Sequence, residues 1–317
     1  TSGALTLGSA NAGIAGTSGE VRIMSGTASA GSSGHILLKS GNAFDGTSGN
    51  ISIAVGSSSQ GAGGSITVEA GSSYSNNGIN SGGDLTLAGG AAFGTKFGRG
   101  GSVAIVGGAG KTGSGGSILI QSGYSTKSSS GNIKLRTENA GRSGISGSIS
   151  ISTGTAADGN SGSIHFSTGN TQGTSGSILL SVGITEHNNG GNITVRAGST
   201  FAQNSEGGNV EFISGASLGE DGGEGGSVII KGGHSKARTG GKVAIFSGKS
   251  SEQVSGNILV KTSNSAVAGE SGGIYVGTGD SIFERTGQVN ILTGHSLYGS
   301  SGDMLVEVGP SKNIGGS

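Results

Sequence analysis

Gly147-Ser-Ile-Ser-Ile-Ser-Thr-Gly-Thr-Ala-Ala-Asp-Gly-Asn-Ser161 is the stretch from which the rest of the chain is built by variation. It holds an opening glycine, two aliphatic residues at alternate positions, a small residue, a second glycine and a small polar return segment. Versions of this stretch recur from one end of the 317-residue chain to the other. Repetition of this kind indicates that each unit packs against its neighbours and does not fold by itself.

The opening glycine of each repeat, here called the anchor, occurs twenty times at nearly regular intervals, such as those between Gly34, Gly49 and Gly64. The residues two and four positions after the anchor are apolar in every repeat, and in seventeen repeats a second glycine stands at the seventh position. Alternation with a period of two predicts a short strand with one buried face. The anchors are Gly3, Gly19, Gly34, Gly49, Gly64, Gly83, Gly101, Gly116, Gly131, Gly147, Gly162, Gly176, Gly191, Gly208, Gly226, Gly241, Gly256, Gly272, Gly287 and Gly302, and Gly316 opens another repeat.

The spacing of these strands decides the predicted fold class. It is too short for a helix between strands, and the hairpin turn pairs are missing, so the economical arrangement is a coil whose strands stack in parallel. The sequence therefore predicts an all-β fold, a β-solenoid (parallel β-helix) of about 20 coils that forms one continuous domain over residues 1–317. Two buried aliphatics, at roughly 1.5–3 kcal/mol each, do not offset the ordering of about 15 residues at about 1–2 kcal/mol each, so stability is expected to belong to the array.

A longer period lies on top of the short one. Every eighth repeat lacks the second glycine, and every eighth repeat carries valine where a small residue normally stands. The sequence thus predicts super-repeats of eight coils over about 3–130, 131–255 and, incomplete, 256–317. Duplication of an eight-coil block and selection for features spaced along the molecule both explain this period. Because both ends of the chain lie in mid-pattern, we expect a fragment of a longer array or a unit that stacks end to end.

Composition excludes several function classes. The chain has 18 basic and 18 acidic residues with no basic cluster, which argues against a nucleic-acid partner. No apolar run approaches the roughly 18 residues of a membrane span, so no membrane span is expected. The absence of cysteine rules out a disulfide framework.

The titratable residues are too scattered for catalysis. The five histidines stand at four different positions of the repeat, and no carboxylate pair can be assigned to acid–base chemistry. The segment Glu220–Gly226 is similar to calcium-binding Gly/Asp repeats but lacks their nine-residue period. The sequence therefore predicts no enzyme, no catalytic residue, no metal site and no cofactor.

Two surface features remain. Large apolar residues often stand ten positions after the anchor, and four of them recur in register every eight repeats: Tyr74, Phe93, Phe201 and Leu218. They either plug the narrow end of the coil beneath the return segment or form lateral contacts with another molecule. The outward position between the two strand aliphatics is also apolar in several repeats, more often than a solvated face requires. Sequons at Asn50 and Asn192 make N-glycosylation a further hypothesis.

Ice binding is an alternative because thin solenoids with coils of this size bind ice through a flat ladder of outward threonines. Here the outward position reads Thr6, Arg22, Leu37, Ser52, Thr67 in the first five repeats and continues as irregularly. No threonine ladder is predicted there.

The pattern of Ser146-Gly-Ser-Ile-Ser-Ile-Ser-Thr-Gly154 resembles Gly/Ser-rich tandem-repeat β-solenoid proteins of microbial and algal cell surfaces and extracellular filaments. This resemblance implies an extracellular or cell-surface location and a fibrous or adhesive role. We therefore expect a structural protein of a long filament, with copies of itself as partners and cell-wall polysaccharide as a further one. The alternative is a solenoid that binds ice or polysaccharide.

Overall fold

The computed structural model describes residues 2–75, 81–94, 98–219, 222–265 and 269–310. Within these ranges the chain forms no helix and no strand, and it consists of irregular segments joined by bends and turns. The predicted all-β fold is therefore wrong, and the chain is not a regular β-solenoid or parallel β-helix.

The pattern of backbone hydrogen bonds explains why the predicted strands do not form. A β-solenoid needs bonds between the apolar segments of successive repeats. In the described part of the chain, eight of the nine backbone bonds instead join glycines that flank a return segment, for example from Gly116 N–H to the Gly108 carbonyl at 2.8 Å. The described residues thus close loops locally and leave their apolar segments unpaired.

The lack of burial is the second reason why the predicted strands do not form. A domain buries its apolar faces between two packed layers. No described residue is buried. A folded chain of 30.2 kDa exposes about 12,000 Å² and an extended one about 44,000 Å². This chain exposes 32883 Å², which is closer to the extended value.

The period of two is nevertheless visible in side-chain exposure. In the repeat that begins at Gly116, Ile118 is 52% exposed, Leu119 83% and Ile120 64%. Side chains of an extended segment alternate between opposite faces, so the outward position is the most exposed of the three. The inward face is half-covered, which is less than the predicted buried face requires.

Most of the return segments that the structure describes bend at one place, ten to twelve residues after the anchor. Serine or threonine at the ninth position holds many of these bends through its hydroxyl oxygen, which accepts a hydrogen bond from a backbone N–H two or three residues later. Ser296 Oγ accepts from Gly299 N–H at 2.9 Å, and Ser125 Oγ accepts from Ser128 N–H at 2.9 Å. The other residues in this role are Ser58, Thr171, Thr200, Ser235, Ser250 and Ser281.

The second glycine of one repeat and the anchor of the next lie close together, and we call this pair the neck. The small residue just before the second glycine lies beside the anchor of the next repeat. A Cβ at the anchor Gly34 would lie 3.6 Å from the Cβ of Ser25, and one at Gly64 would lie 2.8 Å from Cγ1 of Val55. The requirement for glycine is therefore local and steric at Gly64, whereas a Cβ at Gly34 would make an ordinary van der Waals contact.

Neck hydrogen bonds occur in two blocks of four consecutive repeats, and corresponding bonds of the two blocks lie one super-repeat apart. The residue before the second glycine accounts for much of this grouping. It is β-branched in six of the eight other repeats that have a second glycine and a described neck, and in none of the eight bonded ones. A β-branched side chain needs room between the two passages of the chain and holds them apart. The bonds join Gly71–Gly83, Gly90–Gly101, Gly108–Gly116, Gly123–Gly131, Gly198–Gly208, Gly215–Gly226, Gly233–Gly241 and Gly248–Gly256.

The chain divides into two units, Thr1–Thr155 and Ala156–Ser317. The boundary falls inside the repeat that begins at Gly147, directly before its bend at residues 157–159. Each unit contains one of the two blocks with bonded necks.

Candidate interaction surface

The four residues predicted to make lateral contacts stand on the return segments and are at least 91% exposed: Tyr74, Phe93, Phe201 and Leu218. They do not plug a narrow end of a coil, so the first of the two interpretations is wrong. Four aliphatic or aromatic side chains in water are available for contact with another molecule. Contact with a partner stays a prediction.

A second apolar feature lies in the segments that follow six of the anchors. Each segment has three large aliphatic or methionine side chains in succession, so that both of its faces are apolar. The middle residues are the outward ones and are 76% to 85% exposed: Leu37, Leu119, Leu179, Ile229, Leu259 and Leu305. One covering layer hides only one face of such a segment, and the outward face then still needs a partner.

Charged residues flank four of these six segments. Lys39, Lys231 and Lys261 each stand two residues after the outward aliphatic, on the same face of the segment. Asp303 and Glu307 stand two residues before and after Leu305. In the described residues, none of these five groups has an ion-pair partner, whereas Glu20–Arg22 and Arg136–Glu138 form pairs at 2.8 Å within their own repeats.

Both sequon asparagines are exposed and stand directly after an anchor. Asn50 lines an open groove of about 1130 Å³ in the first unit, together with backbone and small side chains that include Ser40, Gly89 and Ser102. The groove has no titratable residue in its lining. Glycosylation of Asn50 and Asn192 stays a prediction, since exposure permits it and nothing else tests it.

The titratable residues are distributed as their sequence positions suggest. Within the described ranges, no three His, Asp or Glu side chains come together as metal ligands. His187 lies 3.9 Å from Glu186, its neighbour in the chain, and both are exposed. Glu220 and Asp221, the acidic residues of the calcium-like segment, lie outside the described residues, as does the anchor Gly316.

The described part of the chain has no helix of the length and hydropathy needed to cross a membrane.

Comparison with known proteins found no matching family model, no matching curated protein and no matching solved structure. The resemblance to cell-surface repeat proteins therefore stays an expectation from the sequence, as does the alternative of ice or polysaccharide binding.

Sequence reasoning missed two features of the repeat. One is the hydroxyl at the ninth position, whose signal is the recurrence of serine or threonine there. The other is the grouping of bonded necks, whose signal is the absence of β-branched residues before the second glycine. Both features set how firmly each return segment presents its side chains.

Proposed function

We propose that this chain is a structural repeat protein of an extracellular filament or fibre, and that it acts by association with copies of itself. A single observation carries the proposal: in the described residues, every large hydrophobic side chain is at least 45% exposed. Soluble monomers rarely expose apolar patches larger than a few hundred Å². A chain with aliphatic rows along most of its length requires a partner surface of comparable extent.

Copies of the same chain are the partner that fits best. The apolar rows recur at the nearly constant spacing of the anchors, so a second copy presents matching rows at the same spacing. The formal net charge is zero, so long-range repulsion between copies is small. The exposed backbone of the apolar segments offers further hydrogen bonds to a neighbouring chain.

The apolar segments and the large apolar residues on the return segments have different roles in this proposal. The apolar segments cover one another between copies, and the residues on the return segments, such as Tyr74 and Phe201, make lateral contacts. Substitution of all four lateral-contact residues by serine is expected to leave elongated particles and to abolish their bundling.

Electron microscopy of the native material and of the purified chain tests the function. We expect filaments or fibres, together with growth of the particles with protein concentration in sedimentation velocity. Particles that remain monomeric over the whole accessible concentration range would contradict the proposal. Thermal hysteresis or specific retention on polysaccharide by such monomers would favour the alternative function.

A further inference from the structure

Four of the apolar segments carry charged residues beside the outward side chain. The charge is negative in one of these segments and positive in the other three. The segment 303–307, Asp-Met-Leu-Val-Glu, has a carboxylate on either side of its outward leucine, and we call it the acidic segment. Three segments place a lysine beside the outward aliphatic, and we call them the basic segments: 35–39, 227–231 and 257–261. The remaining two segments with three successive large aliphatic or methionine side chains, 117–121 and 177–181, carry no charge.

The acidic segment combines apolar and charged groups on one face. Side chains two positions apart point to the same side of an extended segment, so Asp303, Leu305 and Glu307 share a face. Leu305 is 77% exposed, and the carboxylates on both sides of it are exposed and have no ion-pair partner in the described chain. This face has an apolar centre between two negative charges.

Each basic segment presents the complementary face. Leu37 is 84% exposed and shares its face with Lys39, and the same arrangement recurs with Ile229 beside Lys231. The lysine nitrogens, like the carboxylates, have no ion-pair partner in the described chain. A basic segment laid against the acidic one buries two outward aliphatics and brings a lysine to a carboxylate.

We propose that the acidic segment of one copy binds the basic segments of a second copy, outward face to outward face. This inference rests on the proposed function and names the contact through which copies associate. The two surfaces are different parts of the chain, so the contact is heterologous, and each bound copy leaves its own acidic segment free for another. Such contacts produce open assemblies and do not stop at a dimer when the rotation between copies does not close a ring.

Carboxylates on both sides of Leu305 permit two orientations. If the segments run in parallel, lysine meets Glu307, and if they run antiparallel, lysine meets Asp303. Association strength comes mainly from the buried aliphatics, because exposed ion pairs contribute little. The charges select the partner segment, since like charges in the same place repel.

Charge exchange in the full chain tests the contact. The first variant carries Asp303→Lys and Glu307→Lys, and the second carries Lys39→Glu, Lys231→Glu and Lys261→Glu. Each variant alone is expected to raise the concentration for half-assembly about fivefold or more, measured by sedimentation velocity. An equimolar mixture of the two variants is expected to assemble at about the wild-type concentration, because opposite charges meet again between unlike copies.

Two other repeats provide matched controls. Each has a charged residue two positions after the outward residue, but its outward residue is threonine. The first control is Glu69→Lys, since Glu69 stands beside Thr67, and the second is Arg196→Glu, since Arg196 stands beside Thr194. These controls are expected to leave assembly unchanged. The wild-type chain is also expected to assemble less readily at about 1 M than at about 0.01 M ionic strength, where screening lengths are roughly 3 and 30 Å.

The failure of this inference is distinguishable from the failure of the proposed function. If the wild-type chain assembles and neither charge variant changes the concentration for half-assembly, the charged contact is wrong and the structural function stands. If the mixture of variants fails to recover, the two charge sets do not meet, and the contact is also wrong. If the wild-type chain never assembles, the proposed function and this inference are both wrong.

Discussion

Substitution of glycine at one neck tests whether the local loop closure has the steric origin described above. Gly107 and Gly108 are neighbours in the chain, and neither has a positive φ, so alanine is compatible with the backbone at both. A Cβ at Gly107 would lie 2.5 Å from the Gly116 carbonyl oxygen, whereas a Cβ at Gly108 has no atom within 4 Å. Gly108→Ala is therefore a matched control for Gly107→Ala.

The expected difference in protection of the Gly116 amide between the two variants follows from two contributions to the free energy of loop closure. Both substitutions stabilise the closed loop by about 0.4–1 kcal/mol through the unfolded chain, and this contribution cancels between them. Gly107→Ala also pushes Gly116 away and breaks the bond from its N–H to Gly108, which costs about 0.5–1.5 kcal/mol. At about 1 kcal/mol, protection of the Gly116 amide against hydrogen exchange should be about fivefold lower in Gly107→Ala than in Gly108→Ala.

Amide hydrogen exchange followed by NMR measures this protection at a single residue. Exchange at Gly241, in the other bonded block, serves as an internal reference, because neither substitution touches that neck. Equal protection of Gly116 in the two variants would refute the steric argument. Greater protection in Gly107→Ala would refute it more strongly, since the added methyl group would then fit.

Three further results are expected. Val182→Ser removes the β-branched side chain that holds its neck apart, so the Gly191 amide should gain protection against exchange. Unchanged protection of that amide would contradict the proposed role of β-branching. Ser296→Ala removes the acceptor for Gly299 N–H and should raise exchange of that amide by roughly two- to tenfold, for a bond of about 0.5–1.5 kcal/mol, whereas replacement by threonine should not. Secretion from a host with N-glycosylation should add mass that a glycosidase removes, and substitution of both sequon asparagines by glutamine should abolish that mass; an unmodified wild-type chain would exclude the two sites.

Sequence reasoning failed on the fold at an identifiable step. The alternation at Ile118, Leu119 and Ile120 indicates two faces of different exposure, and the structure shows that difference. It does not indicate whether the segments pair through their backbones. That pairing depends on groups far apart in the chain and on a second layer that covers the aliphatic rows, and side-chain alternation carries no information about either.

The residues of the candidate surface could be named from the sequence, but whether their side chains are exposed or covered could not. Tyr74 and Phe201 stand at equivalent positions of the repeat, which made two interpretations equally consistent with the pattern. Exposure of both side chains decides against the plug, because a plug requires that the return segment fold over the ring. The charge pattern of the acidic and basic segments is visible in the sequence, but only the structure shows that their charges have no ion-pair partner among the described residues.

The sequence by itself determined the period of the repeat, the places where the chain must bend and the positions of its apolar residues, because glycine, hydroxyl and aliphatic side chains act on their immediate neighbours. The tertiary structure decided what those residues contact. Among the described residues, bonded necks occur only where the residue before the second glycine is not β-branched, as at Gly107, and the neck stays apart beside Val182, since a β-branched side chain needs room between the two passages of the chain. The aliphatic side chains of the described residues remain exposed, because covering them requires a second packed layer and none is present among those residues.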